Sequence, residues 1–255
     1  MTLEFRSMLR ILSLSILLLG LGCAVRPQQM SVREYGDPSN RLLGDVSWLT
    51  VGRSEKVIHG QLRSYFPNGQ MEVQTGYDHG VPHGPWSQWH DNGRQSAEGT
   101  WENGLRSGTW TRWHRTGTKR VECTFAADRL SGPFNTWDAR GRQLLLAEYK
   151  RDQPEGWWVS WWPNGSKRLD GRFIDGKEHG RWTSYYPSGE KKGEGAYLDG
   201  RRNGLWIFWR VDGSIMAKGR FRDDRPTGHL QVASDASLAK DPDSLFHFSF
   251  DVQDR

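Results

Sequence analysis

The chain has 255 residues, a formal net charge of +5 and two cysteines, and 25% of its residues are charged. Two cysteines exclude a disulfide framework, so stability must come from packing. The charge is too small and too dispersed for a nucleic-acid-binding surface, and we therefore expect no nucleic-acid partner.

The N-terminal segment is organised like an export signal. Arg6 and Arg10 precede an apolar run from Ile11 to Gly22, whose 12 residues fall short of the roughly 20 that a membrane-spanning helix needs. Cys23 follows at once, so residues 1–22 resemble the bacterial lipoprotein signal peptide, whose cleavage leaves a lipid-bearing N-terminal cysteine. The resemblance implies lipid attachment at Cys23 and a protein anchored in the cell envelope, at the outer membrane if the cell is Gram-negative. An ordinary cleaved signal and an uncleaved anchor are the alternatives.

Residues 23–56 are interpreted as a tether, because their first part is rich in proline and polar residues. Trp48, Leu49 and Val51 are candidates for a cap at the point where the tether meets the following segment. Partners reached by the tether would be the membrane, through the lipid, and an envelope protein or glycan that the sequence does not identify.

Residues 57–228 form a repeat array, in which seven consecutive units of 24 residues follow one another without insertion or deletion; they are numbered one to seven, from residues 61–84 to residues 205–228. Glycine recurs with this period at Gly60, Gly84, Gly108, Gly132, Gly156, Gly180, Gly204 and Gly228. Aromatic residues form a first column at Trp86, Trp110, Phe134, Trp158, Trp182 and Trp206, and a second column at Tyr65, Trp89, Trp113, Trp137, Trp161, Tyr185 and Trp209. A third column runs through Tyr77, Trp101, Phe125, Tyr149, Phe173, Tyr197 and Phe221. A fixed period of this length is the signature of a repeat architecture.

The aromatic columns fail after Gly228, and residues 229–255 are predicted to cap the last unit. Residues 246–252 alternate apolar and polar side chains, which predicts a strand with one buried face. A strand at this place would protect an otherwise unpaired sheet edge.

Each unit is predicted to be one β-hairpin. Asn92-Gly93 is interpreted as a two-residue loop with two positive φ angles, and Asn103-Gly104 as the turn that joins one hairpin to the next. The predicted fold is therefore all-β, with seven stacked hairpin repeats in an elongated, twisted antiparallel sheet. Ala127-Asp128 and Arg151-Asp152 lack the glycine of the second turn, so units three and four are expected to be irregular.

A two-residue loop would place Trp86 opposite Gly99 and Trp89 opposite Ser96. Every first-column residue then lies opposite a small residue, in the series Gly99, Cys123, Ala147, Gly171, Gly195 and Gly219. Cys123 is therefore predicted to be a packing residue rather than a reactive thiol. The first and third columns share one face of the sheet, which we expect to be buried.

The second column is expected on the other face and supplies the candidate binding face, formed by Trp89, Trp113, Trp137, Trp161, Tyr185 and Trp209. The same register predicts cations over rings, with Arg120 opposite Trp113, Arg168 opposite Trp161 and Lys192 opposite Tyr185. These rings either cover the second face of the sheet together with Lys and Arg stems, or stack on a long ligand such as a glycan strand or on a partner protein.

The pattern resembles the MORN family, in particular a bacterial variant whose units read like residues 158–165 followed by residues 171–180. The resemblance covers residues 57–228. It implies an elongated scaffold of stacked hairpins that associates with proteins or membranes. Many bacterial members are described as YwqK-type antitoxins. An antitoxin usually acts by contact with a cytoplasmic toxin.

No catalytic motif is present, and the eight histidines lack the spacing of metal ligands. We therefore expect no enzymatic activity, no cofactor and no metal. The predicted function is that of an exported, lipid-anchored scaffold for protein or envelope association. A glycan- or peptidoglycan-binding lipoprotein and an antitoxin-like protein are the alternatives.

Overall fold

The computed structural model describes residues 28–33, 42–51 and 55–233. Over these ranges the chain is all-β and forms one long, open antiparallel sheet, as the sequence predicts. Its strands are β1 (Gln28–Arg33), β2 (Leu42–Val51), β3 (Glu55–Tyr65), β4 (Met71–Asp78), β5 (Val81–Trp89), β6 (Gln95–Glu102), β7 (Leu105–Trp113), β8 (Lys119–Ala126), β9 (Arg129–Trp137), β10 (Gln143–Lys150), β11 (Gln153–Trp161), β12 (Lys167–Ile174), β13 (Lys177–Tyr185), β14 (Lys191–Leu198), β15 (Arg201–Trp209), β16 (Ile215–Arg222), β17 (Arg225–Pro226) and β18 (Gln231–Val232). The predicted leader, Cys23 and the predicted strand at 246–252 lie outside the described residues.

Neighbours in sequence are neighbours in the sheet. Each strand from β1 to β16 pairs antiparallel with the next, and β16 pairs with both β17 and β18. Within the segment interpreted as a tether, β1 and β2 thus continue the sheet on the N-terminal side of the array. No helix long and apolar enough to cross a membrane occurs in the part of the chain that the structure describes.

The turn inside each hairpin is longer than predicted. The His90 N–H donates to the Arg94 carbonyl at 2.7 Å, and the Gly93 N–H donates to the His90 carbonyl at 2.9 Å. Gly93 has φ 77°, whereas Asn92 is not in the left-handed region. This is a three-residue loop, a type I turn followed by a left-handed glycine. The prediction of a two-residue loop with two positive φ angles is wrong, because Asn-Gly suits either turn.

The turn between hairpins is the tight one. Asn103 and Gly104 have φ 51° and 80°, and Glu102 pairs with Leu105 across them, as in a two-residue type I′ turn. The Gly104 N–H also donates to the Pro82 carbonyl of the preceding hairpin at 2.8 Å. Successive tight turns are therefore bonded side by side along one edge of the array.

Units three and four are regular, contrary to the prediction. Arg151 and Asp152 adopt φ 52° and 69°, and Ala127 and Asp128 adopt φ 50° and 66°, the same conformation as the glycine-containing turns. The Asp152 Oδ1 accepts a hydrogen bond of 2.8 Å from the Leu130 N–H. A short polar side chain tolerates the left-handed region and gains a local bond there, so aspartate replaces glycine.

A bulge follows each tight turn and coincides with the repeated glycine. In the pairing of β4 with β5, residues 83–85 lie opposite Gly76 alone. Gly84, at the centre of the bulge, has φ 85°. Bulges increase the local twist of a sheet, and this one recurs once in every unit from Gly84 to Gly204.

The first and third aromatic columns form the buried face of the sheet, here called the core face, as predicted. Trp182 and Trp206 are fully buried, with exposed fractions of 0%. Rings of the two columns alternate edge to face, with centroids 5.0 Å apart for Phe173 and Trp182 and 4.9 Å apart for Tyr197 and Trp206. Such pairs add to the free energy of burying apolar surface, so the two aromatic columns stabilise the contacts between units.

The backbone register of the first column is confirmed, since Trp86 pairs with Gly99. The ring that lies against Gly99, however, belongs to the following unit. A Cβ at position 99 would lie 2.2 Å from Cδ2 of Trp110. The indoles of Trp182 and Trp206 lie in the same way against Gly171 and Gly195, so in these units a ring fills the space left by a glycine of the unit before it and interlocks successive hairpins.

Unit three shows the same interlock with different residues. Cys123 pairs directly with Phe134 across β8 and β9, and the two side chains share one buried cluster. A smaller ring therefore accompanies the larger residue, which explains why Phe134 stands in a tryptophan column. Cys123 is 8% exposed, and burial raises the pKa of its thiol to about 11. The prediction that Cys123 packs in the core is confirmed.

Leu230 ends the ladder at the C-terminal side. It occupies the next first-column position after Trp206, and a Cβ at position 219 would lie 2.3 Å from its Cδ2. Because β17 and β18 both pair with β16, residues 225–232 form the first strand of a truncated eighth unit.

Candidate functional site

The second aromatic column lies on the face opposite the core face, here called the polar face. The polar face also carries the charged column Glu98, Glu122, Asp170 and Glu194. All six residues predicted as a binding face are half-buried: Trp89, Trp113, Trp137, Trp161, Tyr185 and Trp209. The structure arranges them as a row with one ring in each hairpin, and a ligand role for the row stays a prediction.

Lysines connect this row to the charged column. Lys167 Nζ lies 3.5 Å from Asp170 Oδ1 and 5.7 Å from the ring centroid of Tyr185 in the next unit. Lys119 makes the equivalent arrangement, with an ion pair to Glu122 and a distance of 5.9 Å to the ring centroid of Trp137. The rings at these two positions are therefore partly covered by ammonium groups of the protein itself.

The predicted cation partners of the rings are wrong by one residue. Because the hairpin turn has three residues instead of two, the register shifts at the end of each strand, and the observed pairs are Trp89 with Gln95, Trp113 with Lys119, Trp161 with Lys167 and Tyr185 with Lys191. Two of the three cations predicted to face the second column instead cover turn residues, with Arg168 over Trp162 at 5.2 Å and Lys192 over Tyr186 at 5.9 Å.

Tyr185 is held within the face rather than presented to solvent. Burial, together with the charge of Asp170 and a hydrogen bond to that carboxylate, raises the pKa of the phenol to about 12. The phenol therefore stays protonated and engaged at neutral pH.

Side chains at the hairpin turns fix the backbone of the row. In each case the residue that follows one second-column ring bonds to the carbonyl of the next ring in the row: His90 Nε2 with Trp113 O at 3.2 Å, His114 Nε2 with Trp137 O at 2.9 Å, Trp162 Nε1 with Tyr185 O at 3.1 Å, and Tyr186 Oη with Trp209 O at 2.8 Å. The histidines among them thus have a structural role, holding adjacent turns together along the second edge of the array.

One part of the polar face is apolar on two neighbouring strands and is here called the apolar patch, formed by Leu146, Trp157, Val159 and Trp161. Trp157 is 61% exposed and Leu146 39% exposed. Val159 pairs with Leu146 on β10, and Trp157, Val159 and Trp161 alternate along β11 on the same face. A continuous apolar surface therefore spans two neighbouring strands.

The repeat pattern alone does not single out this patch, because the pattern is defined by what the units share. The signal is nevertheless present in the columns. Position 146 has leucine where the other units have Gln74, Glu98, Glu122, Asp170, Glu194 or Lys218, and position 157 has tryptophan where others have Gln61, Pro85, Thr109, Pro133, Arg181 or Leu205. Departures from a repeat consensus on the solvent side indicate function rather than packing.

Two segments of the array match the model of a known repeat family. The family described as MORN repeat variant matches residues 58–79 and 178–199. The two matches begin 120 residues apart, which is five periods of 24 and places them in the same phase of the array. No curated protein matched the chain.

Proposed function

We propose that the chain is an exported, lipid-anchored scaffold without catalytic activity, which binds a partner protein through the apolar patch. The observation that carries this proposal is the exposure of Trp157, at 61%, beside Leu146 on a face that also carries ion pairs. Large aromatic and leucine side chains surrounded by charged groups have the composition of a protein interface, with an apolar centre and a polar rim.

A local patch fits a protein partner better than a ligand that runs along the whole array. A glycan strand stacking on the second column needs free ring faces at regular intervals. Lys119 lies over Trp137, and Lys167 lies over Tyr185. Two of the six rings in the row are therefore partly covered. Trp157 stands outside that row and is the most exposed large hydrophobic residue of those described.

Lipid attachment at Cys23 would hold the sheet close to the membrane. The first described strand begins at Gln28, so only four residues separate it from Cys23. At about 3.4 Å per residue, five steps of chain reach roughly 17 Å. The N-terminal end of the sheet would therefore lie close to the membrane, and the patch on β10 and β11 would stand nine to ten strands further along the array.

Lipid anchoring is tested by metabolic labelling with a lipid precursor and membrane fractionation of the wild type and Cys23→Ser. Label and membrane association that are lost in Cys23→Ser support the proposal. An unlabelled wild-type protein in the cytoplasmic fraction contradicts it, and that result would favour the antitoxin-like alternative.

Partner binding is tested by returning the patch to the residues of other units. The triple variant Leu146→Glu, Trp157→Thr and Val159→Thr takes its side chains from Glu122, Thr109 and Thr183, and is therefore compatible with the fold. We expect affinity-purified complexes to lose their partner in this variant. Leu205→Thr changes an exposed residue at the same repeat position as Trp157 and serves as the matched control. Equal loss in the control, or no loss in the triple variant, would contradict the proposal.

A further inference from the structure

Three side chains with metal-binding atoms converge at the tight turn of unit one. His59 lies on β3, Asp78 ends β4, and His79 is the first residue of the turn that follows. Asp78 Oδ1 lies 3.3 Å from His59 Nδ1 and 2.6 Å from His79 Nδ1. Each of the three residues thus offers one ligand atom within 4.8 Å of a ligand atom of the other two.

The fold brings these residues together although His59 and His79 are twenty positions apart in sequence. Gly60 pairs with Tyr77, so the neighbours His59 and Asp78 lie beside each other across β3 and β4. His79 has φ 46°, which turns the chain back so that its ring meets the His59 ring at a centroid distance of 5.0 Å and an angle of 65°. Motif spacing along the chain cannot predict such a cluster.

The repeat itself aims the side chain at position 59 towards the turn. His59 Nδ1 accepts a long hydrogen bond of 3.4 Å from the His79 N–H, His83 Nδ1 accepts one of 3.5 Å from Asn103, and Glu155 Oε2 accepts one of 2.8 Å from Asp175. A histidine that accepts at Nδ1 has its lone pair on that atom, the form required for metal ligation. Unit one therefore holds one ligand in place before any metal arrives.

Unit one is the only unit among the described residues that adds two further ligands at this turn. The positions of Asp78 and His79 are taken in later units by Glu102 and Asn103, Ala126 and Ala127, Lys150 and Arg151, Ile174 and Asp175, Leu198 and Asp199, and Arg222 and Asp223. A structural requirement of the turn would recur with the repeat, whereas this combination does not.

We propose that His59, Asp78 and His79 bind a divalent transition metal of the zinc class. Zinc takes imidazole nitrogen and carboxylate oxygen at about 2.0–2.2 Å, so tetrahedral ligands lie roughly 3.4 Å apart. His59 Nδ1 and Asp78 Oδ1 lie 3.3 Å apart, which is close to this separation. The shorter contact of Asp78 with His79 is a hydrogen bond, and its proton moves from Nδ1 to Nε2 of the same ring or to solvent when the metal binds Nδ1. Three protein ligands leave the fourth position for water.

The proposal is tested by calorimetric titration of the purified protein with Zn²⁺ alone. Two variants remove a ligand but keep residues that the repeat uses at the same positions: His59→Ser, as in Ser107, and His79→Asn, as in Asn103. We expect one zinc site in the wild type. Each variant should lose affinity for zinc by at least the factor of about 10–100 that is usual when a residue hydrogen-bonded to a metal ligand is removed. His83→Ser, the equivalent change one unit later, should leave the affinity unchanged.

Two further measurements keep the result decisive. The thermal unfolding temperature in EDTA should be the same for the wild type and His79→Asn, because asparagine also adopts the left-handed region. Equal unfolding temperatures would show that the variant loses zinc binding without losing its fold. Binding of Co²⁺ should give the visible absorption of a tetrahedral site in the wild type. Absence of zinc binding at micromolar concentrations, or equal affinity in the wild type and both ligand variants, would overturn the proposal.

Discussion

The indole of Trp206 occupies the place that a side chain of Gly195 would need. A Cβ at position 195 would lie 2.1 Å from Cδ2 of Trp206, far inside a van der Waals contact. The same ring is fully buried and donates from Nε1 to the Ala196 carbonyl at 3.1 Å. Gly195 belongs to unit six and Trp206 to unit seven, so this contact couples neighbouring repeats.

Adding a methyl group at that contact should weaken the coupling. We expect Gly195→Ala to destabilise the array by about 1–3 kcal/mol, the usual range for overpacking, because the buried indole must move. Urea denaturation followed by tryptophan fluorescence measures the change. Gly228→Ala is the control, since nothing lies within 4 Å of a Cβ there and its φ is not in the left-handed region. An unchanged midpoint for Gly195→Ala would contradict the interlock.

The pairing of Cys123 with Phe134 should be exchangeable for the glycine and tryptophan of other units. We expect Phe134→Trp alone to destabilise the protein, because the larger ring meets the cysteine side chain. Cys123→Gly in the same chain should restore stability, so the two changes should be coupled by about 0.5–3 kcal/mol in a double-mutant cycle. Additive effects of the two substitutions would show that the ring size at 134 is independent of residue 123.

Asp152 at the tight turn of unit four should stabilise the protein both through its left-handed backbone conformation and through the hydrogen bond that its side chain accepts. Asp152→Ala loses the bond from the Leu130 N–H and places alanine at φ 69°, which should cost about 1–2 kcal/mol. Asp152→Gly removes the backbone strain but does not restore the hydrogen bond. Asp152→Asn keeps a hydrogen-bond acceptor and should reduce stability least. Equal unfolding midpoints for the alanine and asparagine variants would contradict this explanation.

The buried thiol of Cys123 makes stability depend on pH above neutrality. Its pKa rises from 9.0 to about 11 in the folded protein, so the fold keeps a proton that the unfolded chain releases. This contribution is complete below pH 9 and is lost as the pH rises towards 11. The stability difference between the wild type and Cys123→Ala should therefore shift against the wild type over that interval. A constant difference from pH 8 to pH 11 would contradict the burial of the thiol.

The repeat and the pairing of strands within a hairpin can be predicted from the sequence, because they follow from the 24-residue period and from the sizes of the side chains. Trp86 opposite Gly99 follows from the spacing of a large and a small residue, and the structure confirms it. The hairpin turn could not be predicted, because Asn92-Gly93 is compatible with two turn types that differ by one loop residue. That single residue accounts for the error at Trp89, which pairs with Gln95 instead of Ser96.

Contacts between units were harder to predict than contacts within them. The bulge at each repeated glycine moves Trp110 over Gly99 of the previous unit, and no sequence period shows which of two adjacent rings does this. His59 and Asp78 meet for a similar reason, since only the strand register places them side by side. The apolar patch was visible in the columns at positions 146 and 157, but only once the polar face was known to be solvent-exposed.

The most direct test of partner binding is site-specific photo-crosslinking in living cells with a photoreactive phenylalanine at position 157. We predict a discrete protein adduct in the membrane fraction, which disappears when Leu146→Glu is added. The same probe at position 109, the exposed equivalent two units earlier, should give no adduct. No adduct at 157, an equal adduct at both positions, or an adduct that glycan-degrading enzymes remove would contradict a protein-binding scaffold that acts through the apolar patch.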